Sequence, residues 1–196
     1  MSWATPLNIA KDCFKARFEY PPFQLGAIDL GLEDPEILLS RFRDDMNPNF
    51  PFISIPDSVS AATLRYTRPT LFTVIMALTT RNTSRHVQLG RQFMQQVADR
   101  IYVRGERNLD LLLGIMAYSA WCYHHFFNVN QLTSLVTSAA TLVADLRYNV
   151  DPSHLMSSSF DNTSRAASGK EPPPGPAPRT IEERRAFLGF WFLNHV

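Results

Sequence analysis

The stretch NQLTSLVTSAATLVADL, residues 130–146, carries the clearest helical pattern in the chain. Its apolar residues recur at offsets 0, 3, 4, 7, 10, 11 and 14 from Leu132, and Thr and Ser dominate the opposite side. Residues with this spacing lie on one side of an α-helix, because the helix completes a turn every 3.6 residues. The stretch therefore predicts an amphipathic helix that buries one face against other helices.

Further helices are predicted on both sides of this one from N-cap residues and first-turn prolines. The first is expected to run from Pro35, after Asp34, to about Met46, and a short one is expected to end near Thr67. The predicted helices begin at Pro35, at Asp57 or Ser58, at Pro69, at Ser84, after Asn108, at Asn130 and after Thr180. The sequence thus predicts an all-α fold, an irregular array of about six to seven helices.

Two of these helices have contrasting patterns. The helix after Asn108 is apolar on all sides as far as Trp121, which predicts a central, buried helix. The helix from Ser84 is expected to bury a single stripe, formed by Val87, Gly90, Met94, Val97, Ala98 and Ile101. Between the first two helices, three prolines in residues 47–56 predict an extended segment, because proline blocks helix formation.

The chain is expected to divide into an irregular lead-in, residues 1–33, and a helical domain, residues 34–196. Residues 151–178 are rich in Ser and Pro, and such a composition cannot bury enough apolar surface to order itself. A flexible loop is therefore predicted at 151–178, before the last helix.

The last helix, in the stretch RTIEERRAFLGFWFL at 179–193, has a capping box formed by Thr180 and Glu183. No charged side chain lies between Ala186 and Leu193, so all its faces are apolar and should be covered by other structure. Because only three residues follow Leu193, the domain is expected to be incomplete or to dock on a partner; the alternative is a terminal helix in a groove of its own core. The candidate interaction surface consists of Phe187, Phe190, Trp191 and Phe192.

Composition bears on the class of partner. Nineteen Lys and Arg against 18 Asp and Glu leave a net charge of +1, which gives no general attraction to nucleic acid or to an anionic membrane. Two cysteines form neither a disulfide framework nor a metal cluster, and the first 20 residues lack a signal-peptide pattern, so an intracellular protein is expected. The apolar run at 111–121 is shorter than the ~20 residues of a membrane-spanning helix.

Catalytic chemistry finds little support in the sequence. The neighbouring His124 and His125 would point about 100° apart on a helix and could not share one metal ion. The 8 glycines are dispersed and form no phosphate-binding loop, and no nucleophile-elbow or zinc-protease motif occurs. We therefore expect that the protein is not an enzyme and that it binds neither a cofactor nor a metal ion. A small-molecule pocket between helices remains an alternative, with Phe72, Trp121, Tyr123 and Phe126 as its candidate lining.

Several segments together resemble the middle homology region, a regulatory region, of fungal zinc-binuclear-cluster transcription factors. They occur in the family's order and lie at 42–52, 55–56, 68–71, 108–121, 131–146 and 179–189. The resemblance covers roughly residues 34–196, and its most specific motif is the last. It implies an all-helical regulatory domain in a nuclear protein.

The resemblance also implies what this chain lacks. The family's DNA-binding zinc cluster needs six cysteines, and this chain has two in total. We therefore expect part of a regulatory domain without direct DNA contact, which acts through a protein partner, a homodimer or a small-molecule effector. The alternatives are a helical small-molecule-binding protein and a truncated product without activity.

Overall fold

The computed structural model describes Ile28, Gly31 and residues 33–121, 129–150 and 178–195, and these contain seven α-helices and no β-strand. The helices are α1 Pro35–Arg41, α2 Ala61–Thr67, α3 Pro69–Thr79, α4 Thr83–Val97, α5 Leu109–Trp121, α6 Val129–Asp145 and α7 Ile181–His195. Single π-helical segments extend α1 over Phe42–Met46 and α4 over Ala98–Val103. The predicted all-α fold is confirmed, whereas almost all of the predicted lead-in and loop lies outside the described residues.

The starts of α1, α5 and α7 are fixed by side chains that the sequence indicated. Asp34 Oδ1 accepts the Glu36 N–H at 2.9 Å, and Asn108 Oδ1 accepts the Leu111 N–H at 3.0 Å. At α4 the cap is Asn82, which accepts the Arg85 N–H at 3.2 Å. Each of these bonds satisfies an N–H group that the helix itself cannot pair.

The start of α2 was predicted too early. Its N-cap is Ser60, whose hydroxyl accepts the Thr63 N–H at 3.1 Å, and neither Asp57 nor Ser58 caps it. The reason is a long-range contact: Arg43 donates to the carbonyl groups of Pro56 and Val59, both at 2.7 Å. This contact holds the preceding residues as a loop.

Helices α3 and α5 lie at the centre of the described structure. Helix α3 contacts α1, α2, α4 and α5, and α5 also contacts α6 and α7. The core side chains of α5 are almost completely buried, as in Leu111, Leu112 and Met116. The predicted central helix is therefore confirmed over its described length, and α6 buries the predicted residues Leu135, Ala139, Leu142 and Val143.

Helix α4 and its π-helical extension bury most of the predicted stripe, since Gly90, Val97 and Ile101 are buried and Met94 packs against the core. Leu89 and Phe93 are buried, whereas the predicted Val87 is 46% exposed and Ala98 is also exposed. Tyr118 on α5 packs against this helix, and its ring centroid lies 4.5 Å from that of Phe93. The buried face of α4 therefore includes Leu89 and Phe93 in addition to the predicted residues, and it excludes Val87 and Ala98.

The segment between α1 and α2 contributes to the core without forming regular structure beyond a 3-10 turn at Asn47–Asn49. Phe50, Ile53 and Ile55 are buried. The ring of Phe50 lies 5.5 Å from that of Trp121 and 4.9 Å from that of Phe52, both in edge-to-face geometry. The aromatic residues of this proline-rich segment thus cover the end of α5 and form a base for α7.

Candidate interaction surface

The first turn of α7 is held by several independent contacts. The capping box is present as predicted: Thr180 N–H donates to Glu183 Oε2 at 2.8 Å, and Glu183 N–H donates to Thr180 Oγ1 at 3.2 Å. The Tyr148 hydroxyl donates to Glu183 Oε1 at 3.3 Å, and Arg179 donates to the Tyr148 carbonyl at 2.6 Å. Burial, followed by the nearby charge of Glu183, raises the pKa of Tyr148 to about 12.

One side of α7 packs on the core. Ala186 is completely buried and Gly189 is buried, while Phe187, Phe190 and Leu193 are partly buried against core residues. A Cβ atom on Gly189 would lie 2.5 Å from Met116 Cε and 2.6 Å from Phe52 Cβ. The absence of a side chain at this position therefore allows α7 to approach α5 and the proline-rich segment closely.

The opposite side of α7 is apolar and exposed. Leu188, Trp191 and Phe192, at i, i+3 and i+4, are 53%, 54% and 44% exposed. Side chains at this spacing form one continuous patch on a helix. We refer to these three residues as the α7 outer face.

The edges of the α7 outer face are defined by ring contacts. Phe192 lies with its ring centroid 5.8 Å from Phe52 and 6.2 Å from Phe50. Trp191 stacks on the imidazole of His195 at 4.3 Å, and His195 Nδ1 lies 2.8 Å from the Trp191 carbonyl oxygen. These contacts restrain both aromatic side chains while their outer surfaces stay in solvent.

The four residues of the predicted interaction surface separate into two groups. Trp191 and Phe192 lie on the α7 outer face, whereas Phe187 and Phe190 pack on the core. Leu188 was missed, although its spacing from Trp191 and Phe192 was a usable signal. Ala186 and Gly189, three positions apart, are the small residues that could have identified the inner side.

Of the four residues proposed to line a pocket, the structure describes Phe72 and Trp121, and these two border different cavities. Phe72 borders a cavity next to α1 and α2, and Trp121 borders a different cavity near Thr80 and His86. Tyr123 and Phe126 lie outside the described residues, as do His124 and His125.

The described ranges contain neither a metal-binding cluster nor a membrane-spanning helix. Within 33–121, 129–150 and 178–195, no three His, Cys, Asp or Glu side chains come together in a group able to hold a metal ion. No helix in these ranges has both the length and the apolar content needed to cross a membrane.

The sequence of this chain is similar to those of fungal transcription factors. The chain is 27% identical over 182 residues to Transcription factor himD of Aspergillus japonicus, an alignment that covers 90% of this chain and 29% of that protein. It is 29% identical over 178 residues to Transcription factor opdL of Penicillium oxalicum, covering 86% of this chain and 31% of the relative. A transcription factor of Aspergillus terreus is 32% identical over 106 residues, 54% of this chain and 18% of the relative.

The chain therefore spans less than a third of the length of each of these relatives. No protein-family profile matches it. No solved structure matches it either. The resemblance to a regulatory region of fungal transcription factors is confirmed by the three relatives.

Proposed function

We propose that this chain is a helical module of a nuclear, fungal transcription-regulating protein and that it acts through a protein contact, without catalysis. The similarity to three fungal transcription factors, which extends over 86% and 90% of the chain in two cases, supports the link to transcription. In those two relatives the aligned region is part of a longer polypeptide, and more than two thirds of that polypeptide lies outside the alignment. The chain then corresponds to one part of a larger regulatory assembly.

The exposed α7 outer face is the observation that supports the proposed contact with another protein. Trp and other aromatic residues dominate the binding energy of many protein interfaces, and their exposure on one helical face is typical of a docking surface. Leu188, Trp191 and Phe192 form such a face, next to the rings of Phe50 and Phe52. We propose that its partner is an apolar helical segment of a transcription-factor polypeptide. This segment lies outside the region that aligns with the present chain.

We propose that another segment or another polypeptide recognises the DNA bases. A zinc cluster of the type that the resemblance implies needs six thiolates, and this chain has two cysteines and a net charge of +1. The proposed role of this module is thus to position or control a DNA-binding protein, without contacting DNA itself.

A reporter assay tests the proposal. The chain is fused to a heterologous DNA-binding domain and recruited upstream of a reporter gene in a fungal cell. We expect the fusion to change reporter expression, and the combined changes Leu188→Gln, Trp191→Gln and Phe192→Gln to abolish the effect because they replace the apolar contact with polar side chains.

The matched control replaces three exposed apolar residues elsewhere on the surface, Ile37→Gln, Tyr66→Gln and Val87→Gln, and it should behave as the unchanged chain. Circular dichroism of each purified variant checks that the helices are retained. A wild-type fusion without effect on the reporter would overturn the transcriptional role, and an active outer-face variant would overturn the assigned surface.

A further inference from the structure

A second surface feature is independent of the α7 outer face. An open groove of about 470 Å³ lies between the loop that precedes α2, helix α2 itself and the first turns of α3 and α7. Its floor includes the buried side chains of Ile55, Leu64 and Leu71, and Ile181, which is 71% exposed, stands at its edge. This volume is within the range of small-molecule sites, and an apolar floor with a few polar groups at the rim is typical of them.

The walls of the groove are held in place by hydrogen bonds and an ion pair. Arg43 ties the loop by donating to the carbonyl groups of Pro56 and Val59 at 2.7 Å, and Ser60 caps α2. On the opposite side, Arg68 pairs with Glu182 at 2.7 Å and joins α7 to the junction of α2 and α3. A ligand would therefore enter a groove that is already formed, which reduces the entropy lost on binding.

The charges at the rim leave one cation without a counter-charge. Arg68, Glu182 and Arg185 are the ionisable residues of the groove lining, and Arg68 and Glu182 neutralise each other. Arg185 is exposed and has no ion-pair partner among the residues that the structure describes. The rim thus carries one surplus positive charge, and the planar guanidinium group matches the geometry of a carboxylate.

We propose that this groove binds a small apolar molecule that bears a single carboxylate group. The apolar body lies over Ile55, Leu64 and Leu71, and the carboxylate pairs with Arg185. The site differs from the pocket expected from sequence, since it contains neither Phe72 nor Trp121. It does not depend on a role in transcription, so the binding test and the reporter assay succeed or fail independently.

Octanoate is a suitable probe, with octylammonium and octanol as matched cationic and neutral controls. Titration of the isotope-labelled full chain, followed by NMR, should show saturable shifts of amide signals around Leu64, Thr67 and Ile181. We expect octanoate to bind more tightly than octanol and octylammonium to bind most weakly, because Arg185 repels a cation. No saturable binding, equal affinity for the three probes, or shifts confined to Leu188, Trp191 and Phe192 would overturn the proposal.

Two variants examine the assignment of residues. Arg185→Gln should weaken octanoate binding roughly two- to fivefold, the range for a solvent-exposed ion pair, and leave octanol binding unchanged. Arg184→Gln, one position away and outside the groove, is the matched control and should not change the affinity. Thr67→Trp fills the groove and should abolish binding of both probes, provided that circular dichroism shows an intact fold. Unaltered octanoate affinity in Arg185→Gln would by itself contradict the proposal.

Discussion

The carboxylate of Asp110 lies 2.8 Å from the guanidinium group of Arg100, and both side chains are buried. Asp110 also accepts the backbone N–H groups of Thr70 and Leu71, at 3.1 and 3.0 Å. Arg100 pairs in addition with Glu106 at 2.7 Å and donates to the hydroxyl of Thr70. One carboxylate at the start of α5 thus connects the end of α4 with the N-terminus of α3.

Asp110→Ala should lower the free energy of unfolding by about 3 kcal/mol, because it takes a carboxylate partner from the buried Arg100 guanidinium and removes the acceptor for two N–H groups. Urea denaturation followed by circular dichroism measures this loss. The matched change is Asp145→Ala, which breaks the more exposed pair with Arg107 and should cost less than about 1 kcal/mol. Equal losses for the two variants would contradict the structural role given to Asp110.

Gly189→Ala should destabilise the protein although alanine is the better helix former. Helix propensity alone would favour alanine by about 1 kcal/mol, whereas the added Cβ overlaps Met116 and Phe52 and should produce a net loss of about 1–3 kcal/mol. Thermal and urea unfolding measure the difference. Asn194→Ala, at an exposed position of the same helix, is the control and should be nearly neutral. A more stable Gly189→Ala variant would show that α7 does not pack as described.

Tyr148 should make stability fall at alkaline pH. Its pKa is about 12 in the folded protein, whereas the ordinary value for tyrosine is 10. The folded state therefore holds the proton more tightly than the unfolded state. The stabilising contribution is therefore complete below pH 10 and is lost as the pH rises towards 12. The pKa of Tyr148 is measured by ultraviolet absorbance titration of the wild type and of Tyr148→Phe. The difference between the two titration curves should have its midpoint at a pH of about 12. A midpoint near 10 would contradict the burial of the Tyr148 hydroxyl beside Glu183.

The sequence was sufficient where local chemistry determines structure. The 3.6-residue spacing predicted α6, and cap residues such as Asp34, Asn108 and Thr180 predicted where helices begin. Long-range contacts account for the errors. Arg43 holds the loop before α2, and Phe93 of α4 packs against Tyr118 of α5; neither contact is visible in a local window of sequence.

The candidate surfaces also could not be predicted from local sequence patterns alone, because long-range packing determines them. Because residues 186–193 of α7 are apolar on all sides, their periodicity could not show that Phe187 and Phe190 face the core while Trp191 faces solvent. The groove is formed by residues 54–71 and 181–185, which are more than 100 positions apart in sequence. Only the tertiary arrangement brings Arg185 and Leu64 into the lining of one groove.

Site-specific cross-linking from the α7 outer face tests the central claim most directly. A photoreactive amino acid replaces Trp191 in the chain expressed in fungal cells, and Tyr66, which is 90% exposed, is the control position. Mass spectrometry of nuclear material identifies the linked peptides. We predict that position 191 captures peptides from a transcription-factor polypeptide that carries a sequence-specific DNA-binding domain, and that position 66 does not. Peptides of a second copy of this chain alone, or the same peptides from both positions, would contradict the account.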